Sequence, residues 1–433
     1  MKTYTTILLS FLFAGATFAQ SFTSYRTGSS FSTNVTPQGG SCLMGGASES
    51  DDAMRWFLQR ANGGDVLVLR ASGSDGYNNY MYSDLGVTVN SVETIVFNNS
   101  SASSETYIHQ RIEEAEAIWF AGGDQWNYVS YWRNTTIQNL INDAVNNRNV
   151  VIGGTSAGMA ILGGHYFSAE NGTITSAQAL ANPYANDATV SSTPFLENSF
   201  LTDVITDTHY DDPDRRGRHT AFLARIITDN SGSGIIPKGI ACDEYTAVCI
   251  DDVGLARVFG DYPTYDDNAY FIQPNCELTD MLPETCTANT ALHWDKGGMA
   301  LKVYKIKGTV EGTHTFDLSD WQTGTGGTWE HWSVNNGTFV ASVGTQINCI
   351  LSVDELAQPT VEVYPNPVKS NLIVSAEKPI QAIELLDGFG RIVLQKDVSN
   401  VQETSLQLLK LSSGTYFLKV QVNDAIIIKK VIK

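Results

Sequence analysis

The sequence predicts an α/β protein: a mostly parallel sheet flanked by helices, then a β-rich segment and a C-terminal all-β sandwich. Three observations carry that prediction. Short apolar runs alternate with helical patterns between about residues 41 and 250. Between about 291 and 350 the chain turns rich in Trp, Thr and Gly and alternates apolar with polar. From about 361 short strands recur between turn residues.

The elements follow in order. Met1-Lys2-Thr3, an apolar core from Ile7 to Phe13 and the small Ala19 read as a secretory signal peptide over residues 1–19. That core is too short to span a membrane, and no later segment is long enough, so no membrane span is expected. Ser50, Asp51 and Asp52 start a helix in which Met54, Phe57, Leu58 and Ala61 recur at helical spacing, until Gly63 and Gly64 stop it. Asp65 to Leu69 is an apolar run of the kind shown by parallel strands buried on both faces. Thr94 to Phe97 and Ala117 to Ala121 repeat it, with a helix between them from Thr106 to Glu114. Ile137 to Val145 is helical and Asn149 to Ile152 is the next strand. The last two strands end at Gly122-Gly123 and Gly153-Gly154. Ligands of such sheets bind at the carboxyl ends of strands, which makes both glycine turns candidate site positions. Ala300 to Lys307 and His314 to Leu318 are strands of the β-rich segment; the pattern leaves open a separate subdomain or an extension of the sheet. The expected organisation is a catalytic domain over 20–350, a linker over 351–360 and a sandwich over 361–433. Strands in the sandwich run from Asn371, Gln381, Arg391, Gly414 and Ala425.

Composition narrows the function classes. The 433 residues carry 46 acidic and 27 basic side chains, a formal net charge of −19. Such a chain repels phosphate backbones and anionic lipid, so no nucleic-acid partner is expected. Of six cysteines, Cys276 and Cys286 flank a loop-like segment and are the first expected pair. Cys242 and Cys249 share one apolar run, as bridged or as merely buried thiols would. No Cys or His spacing suggests zinc, and neither metal nor cofactor is expected.

The chemistry centres on Gly154-Thr155-Ser156-Ala157-Gly158. A G-x-S-x-G stretch between a strand and a helix makes a sharp turn that exposes the serine, while glycines remove side chains that would collide with it. Ser156 is therefore the candidate nucleophile, and the Ala157 N–H at a helix start can hold an oxyanion. Of seven histidines, His209 follows a strand-like run and is the candidate base; His165 and His219 are the alternatives. The acids between Ser156 and His209 are Glu170, Asp187, Glu197, Asp203 and Asp207. Glu170, fourteen residues after Ser156, is the expected orienting carboxylate; Asp207 is too close in sequence to His209 to reach round its ring easily. Backbone N–H groups at Gly123 or Asp124 would complete the oxyanion hole, and Gln125 would bond the substrate.

Taken together, these stretches resemble known families. Tyr364-Pro365-Asn366-Pro367, the run Gly414 to Val420 and the Lys429 to Lys433 end resemble the C-terminal sorting domain of type IX secretion cargo. That implies export by the type IX machinery to the medium or the cell surface, by way of the signal peptide and periplasm. Phe120 to Gln125, Gly153 to Gly158, Asp207-Thr208-His209 followed by arginines, and Ala241 to Ala247 resemble the cyanophycinase/dipeptidase E serine peptidases. The resemblance implies a class I glutamine amidotransferase-like fold, a Ser–acid–His triad and hydrolysis of aspartyl peptides, with cyanophycin or β-aspartyl peptides as the substrate class. It matches Arg215 and Arg218 to two substrate-binding arginines. The chain departs from the family: the first of its arginines has no clear counterpart here, the insertion Asp211 to Asp214 is acidic, and His219 stands where a Leu is usual; the lost arginine argues against cyanophycin itself, not against the hydrolase chemistry. On the plainer reading, Arg215, Arg216 and Arg218 pair with those aspartates. Two other functions fit less of the sequence: an inert hydrolase fold binding through Trp321, Trp329 and Trp332, and a glutamine amidotransferase, which would need Cys at 156.

Overall fold

The computed structural model describes residues 20–191, 193–349, 361–387, 390–422 and 425–433. The expected signal peptide and the linker over 351–360 lie outside the described residues. The chain divides into two compact units after Asn348.

The first unit begins with β1 (Phe22–Gly28), β2 (Ser41–Met44), β3 (Asp65–Arg70), β4 (Ser91–Phe97), β5 (Ala117–Phe120) and β6 (Val151–Thr155). Strands β4-β3-β5-β6-β2 lie side by side and all pair in parallel, while β1 closes one edge antiparallel to β4. Alternation along β3 shows why both faces are covered. Leu67 and Leu69 pack with Ile108 and Ile112 of the helix Thr106–Glu114 and with Ile137 and Ile141 of the helix Thr136–Asn146. Val66 and Val68 point the other way, onto Met54, Phe57 and Leu58 of the helix Asp51–Arg60. With successive side chains on opposite faces, an uninterrupted apolar strand can only be buried on both.

The rest of the unit adds β7 (Tyr166–Phe167), β8 (Val190–Ser191), β9 (Val204–Asp207), β10 (Lys238–Cys242), β11 (Ala247–Ile250) and β12 (Leu255–Tyr262). After these come β13 (Asn268–Pro274), β14 (Leu301–Lys307), β15 (His314–Asp317), β16 (Gly324–Thr325), β17 (Gly327–Asn335) and β18 (Thr338–Val343). The parallel heart is extended past β2 by antiparallel β11, β12, β15 and β16, so the first sheet is mixed. A second sheet runs β18-β17-β14-β13-β10-β9, with only β9 and β10 parallel. The β-rich segment thus extends both sheets. The helix Arg216–Asp229 packs on the second, its Ala221, Phe222 and Leu223 in one core with Ile205, Ala241 and Ile272.

Two expectations are corrected in this unit. Cys276 is disulfide-bonded, whereas Cys286, its expected partner, is a free buried thiol. Cys276 and Cys286 are close in sequence, but Cys286 is folded into the core beside the helix Arg216–Asp229. Nor do the tryptophans form an exposed face. Trp332 and Trp321 are buried in the two cores, and Trp329 packs half-buried against Tyr304. Among the described residues, no helix is long and apolar enough to cross a membrane.

The second unit is all β: β19 (Val361–Tyr364), β20 (Asn371–Leu386), β21 (Ile392–Gln407), β22 (Thr415–Val422) and β23 (Ala425–Ile432). The two expected strands from Asn371 and Gln381 are one long strand, interrupted by register shifts between Ser375 and Ala382. Such shifts bend a strand and let one long strand serve two neighbours. Residues after β19 bond back to β23, with Val368 N–H donating to Ile432 O at 2.8 Å. One core of Leu372, Val374, Ile383, Leu385, Leu418 and Val420 fills it.

Candidate active site

Ser156 sits between β6 and the short helix Ala157–Ala160, with φ +51° and ψ −117°. A non-glycine residue there costs about 1–3 kcal/mol and persists only where its surroundings enforce it. Here they do. A Cβ on Gly158 would lie 2.1 Å from the Phe120 carbonyl oxygen, and one on Gly154 would lie 2.6 Å from the Gly158 carbonyl carbon. Only glycines let the turn close. The Ser156 N–H donates to Met44 O at the end of β2, at 3.1 Å.

His209 follows β9 and also has positive φ, +45°. Its N–H donates to Gly45 O at 2.8 Å, and a Cβ on Gly46 would fall 2.4 Å from ring atoms Cε1 and Nε2. The Gly45-Gly46 turn after β2 is thus shaped to the imidazole. The Ser156 Oγ lies 2.8 Å from His209 Nε2. On the other side of the ring, Nδ1 meets Glu244 Oε1 at 2.5 Å. A carboxylate facing Nδ1 keeps the proton there and leaves Nε2 to accept from the serine hydroxyl.

Glu244 lies between β10 and β11. Its N–H donates to Asp211 Oδ1 at 2.9 Å, and the next residue, Tyr245, donates its N–H to Gly46 O at 3.1 Å. The acidic insertion therefore braces the loop that carries Glu244. Glu170, the carboxylate expected at this place, does not face His209. It is exposed, beyond β7, with its N–H turned to Ser168 Oγ at 3.3 Å. The reason is topological: His209 and Glu244 both come from ends of the second sheet, β9 and β10, which pair in parallel. The stretch Ala241 to Ala247 did contain the signal, as part of the resemblance, but no spacing rule from Ser156 points to it.

Ser156, His209, Ala157, Gly123, Gln125, Arg215 and Arg218 line one cavity of about 210 Å³, together with Phe167, Thr173 and Asp207. It opens at the carboxyl ends of β5, β6 and β9, where α/β sheets bind ligands. Among the described residues the Gly123 N–H meets no acceptor, and Ala157 is the first helical residue, whose N–H has no partner within its helix. Asp124 is not among the residues lining this cavity; its side chain caps the helix Gln125–Trp132, accepting from Trp126 N–H at 2.9 Å. A larger hollow of about 480 Å³ lies elsewhere, lined by residues such as Ser32, Glu113, Glu116 and Arg148, without a serine–histidine pair.

The arginines divide. Arg218 is buried and grips Asp207 through two bonds, Nε to Oδ2 at 2.9 Å and Nη2 to Oδ1 at 2.5 Å. Burial pushes the Asp207 carboxyl up, but the Arg218 guanidinium outweighs it and holds the group below the usual carboxylate range. Arg216 pairs with Asp214 on the surface. Arg215 pairs with no carboxylate among the described residues: Nη1 donates to Thr208 O at 2.9 Å and Nε is without a partner. Burial, and then the Arg218 charge, lower its affinity for a proton. Arg215 thus brings a guanidinium that pairs with no carboxylate among the described residues to the wall of the cavity.

The alternative histidines are core residues. His219 is buried, bonds Ile205 O, and burial lowers its pKa to about 4, so it is neutral at physiological pH. His165 is buried without a hydrogen-bond partner and does not line the cavity. Among the described residues no group of three or more His, Cys, Asp or Glu side chains could hold a metal ion.

Fold and site together define a helix-flanked α/β protein with a Ser156–His209–Glu244 contact in a pocket at its strand ends. In comparison with known proteins, residues 44–254 match the model of peptidase family S51, and residues 362–433 match the secretion system C-terminal sorting domain. Both resemblances read from the sequence are borne out. A cyanophycinase from Synechococcus elongatus is 26% identical over 209 residues, 47% of this chain and 59% of the relative. The match thus spans about three-fifths of that relative's length. A peptidase from an acI-B1 Actinobacterium aligns over 54% of this chain and 91% of its own, at 15% identity and a TM-score of 0.39. A putative peptidase E from Listeria monocytogenes aligns over 50% and 95%, at 15% identity and a TM-score of 0.31.

Proposed function

We propose that this chain is an exported serine exopeptidase that hydrolyses aspartyl peptides through an acyl-enzyme. The observation that carries the reading is the unbroken contact from Glu244 through His209 to Ser156 Oγ. His209 Nε2 takes the hydroxyl proton as Ser156 attacks the scissile carbonyl. Glu244 holds the ring tautomer and stabilises the imidazolium. The Gly123 and Ala157 N–H groups receive the developing oxyanion. His209 then returns the proton to the leaving amine, and water, deprotonated by the same ring, releases the acid product. Arg215 and Gln125 receive the substrate, Arg215 by its carboxylate. Arg218 supports them through Asp207 instead of binding directly, since its charge is already matched. The sorting tail supports work outside the cell by the type IX route, and the proposed substrates there are peptides or cyanophycin-like polymers.

The test is hydrolysis of α- and β-aspartyl dipeptides and of cyanophycin, beside labelling by a serine-directed fluorophosphonate. Ser156→Ala is expected to lose activity by at least about 10⁴-fold while folding normally. Hydrolysis unchanged in that variant, with no labelling of Ser156 in the wild type, defeats the reading.

A further inference from the structure

Cys42 and Cys249, two thiols the mechanism does not use, face each other across the antiparallel pair β2–β11. Their Sγ atoms are 3.6 Å apart and both residues are fully buried. The ladder fixes what kind of pair they are. Gly45 N–H donates to Thr246 O at 2.9 Å, which makes Gly45 and Thr246 a hydrogen-bonded pair. Hydrogen-bonded and non-hydrogen-bonded pairs alternate along an antiparallel ladder. Three steps on, Cys42 and Cys249 are a non-hydrogen-bonded pair, with Cα atoms about 4.5 Å apart. That lies within the range of about 4.4–6.8 Å that a disulfide spans, so side-chain rotation alone can join them. The third thiol of the region, Cys242, is engaged elsewhere, with Sγ 3.7 Å from Leu43 O.

We propose that Cys42 and Cys249 form a cross-strand disulfide in the exported protein. Of the functional reading above, only the secretion route is needed, because it brings the chain into an oxidising compartment. The oxidant is a donor disulfide, on a thiol–disulfide oxidoreductase or a small molecule. One cysteine thiolate attacks it to give a mixed disulfide and releases the first donor sulfur as a thiol. The second thiolate then displaces the other donor sulfur. Two cysteine thiols lose two protons and two electrons, and the donor leaves as two thiols. With both sulfurs sealed from solvent in the finished fold, this exchange occurs before β2 and β11 close.

The bond would staple the strands that hold the catalytic groups. β2 ends in Met44, which bonds Ser156 N–H, and leads into Gly45 and Gly46, which cradle His209. β11 begins at Ala247, just after Glu244.

The mature chain, secreted by its host cells, is denatured in excess alkylating reagent, digested without reduction and mapped by mass spectrometry. A Cys42 peptide linked to a Cys249 peptide, with only Cys242 and Cys286 alkylated, is the expected result. Alkylated Cys42 and Cys249, or a link from either to Cys242, overturns the proposal. Thermal melting gives a second reading on a variant that cannot form the bond, Cys42→Ala/Cys249→Ala. Reduction in denaturant followed by refolding with the reductant present should lower the wild-type melting temperature by on the order of 5 °C more than it lowers that of the variant. Equal shifts in the two proteins also overturn it.

Discussion

The catalytic unit and the C-terminal β unit treat local rules in opposite ways. In the C-terminal unit, β22 alternates regularly, with Tyr416, Leu418, Val420 and Val422 buried and their neighbours mostly exposed. Among its described residues every buried side chain is apolar or aromatic. In the catalytic unit, Ser156 and His209 hold positive φ, the ion pair of Asp207 and Arg218 is buried, and Gly46, Gly154 and Gly158 sit where no Cβ fits. The difference teaches where to look for function. In β22 and its core, sequence, burial and backbone agree; around Ser156 and His209 the backbone and the glycines yield to the geometry of the site. That contrast can be broken or sharpened by substitution.

The largest effect is expected at Glu244. Glu244→Gln should lower kcat by about 10²–10⁴-fold, because the ring loses the carboxylate that sets its tautomer, whereas Glu170→Gln should leave kcat unchanged. Steady-state kinetics on one aspartyl dipeptide decides between the two carboxylates, and the opposite ranking would remove Glu244 from the mechanism.

Next comes the buried pair. Asp207→Asn strands the Arg218 charge and should cost about 3–5 kcal/mol in denaturant unfolding. The pH dependence has a definite sign. The folded Asp207 pKa is depressed below an unfolded value near 3.9, so the stabilisation is complete above that value and is lost as pH falls through the folded pKa. Acid should therefore narrow the gap between wild type and variant; a gap that widens below about pH 4 contradicts the pairing.

Leu418→Ala, in the core of the β unit, should destabilise that unit by about 2–4 kcal/mol and leave hydrolysis of dipeptides at the wild-type rate. A matching loss of activity would show that the two units are not independent in folding. The smallest effect belongs to Gly414→Ala, where the nearest atom to an added Cβ is a Tyr416 ring carbon at 4.0 Å. Its change in melting temperature should be within the equivalent of about 0.5 kcal/mol, unlike Gly158→Ala, which drives a methyl into the Phe120 carbonyl.

Much of the fold was legible in the chain. β3, β4 and β5 and the helices Asp51–Arg60, Thr106–Glu114 and Thr136–Asn146 stand where periodicity puts them, because a strand buried on both faces and an amphipathic helix each print their environment on consecutive residues. The short β2, SCLM, has no such print, although its end supports both Ser156 and His209. The Ser156 turn was legible for a related reason. Its steric demands fall on residues two positions away, Gly154 and Gly158, so the whole requirement lies within one short stretch.

What the sequence by itself determined, then, is what neighbours in the chain must satisfy together: the nucleophile turn, the strand and helix periods, the sorting tail. Only the tertiary structure decided which carboxylate meets His209, which arginine pairs with Asp207, and which cysteines face each other. Those are choices of register and pairing between β9 and β10, and between β2 and β11, made by residues tens to hundreds of positions apart. Their energy comes from contacts that exist only once the sheets have assembled, and no local pattern carries a record of them.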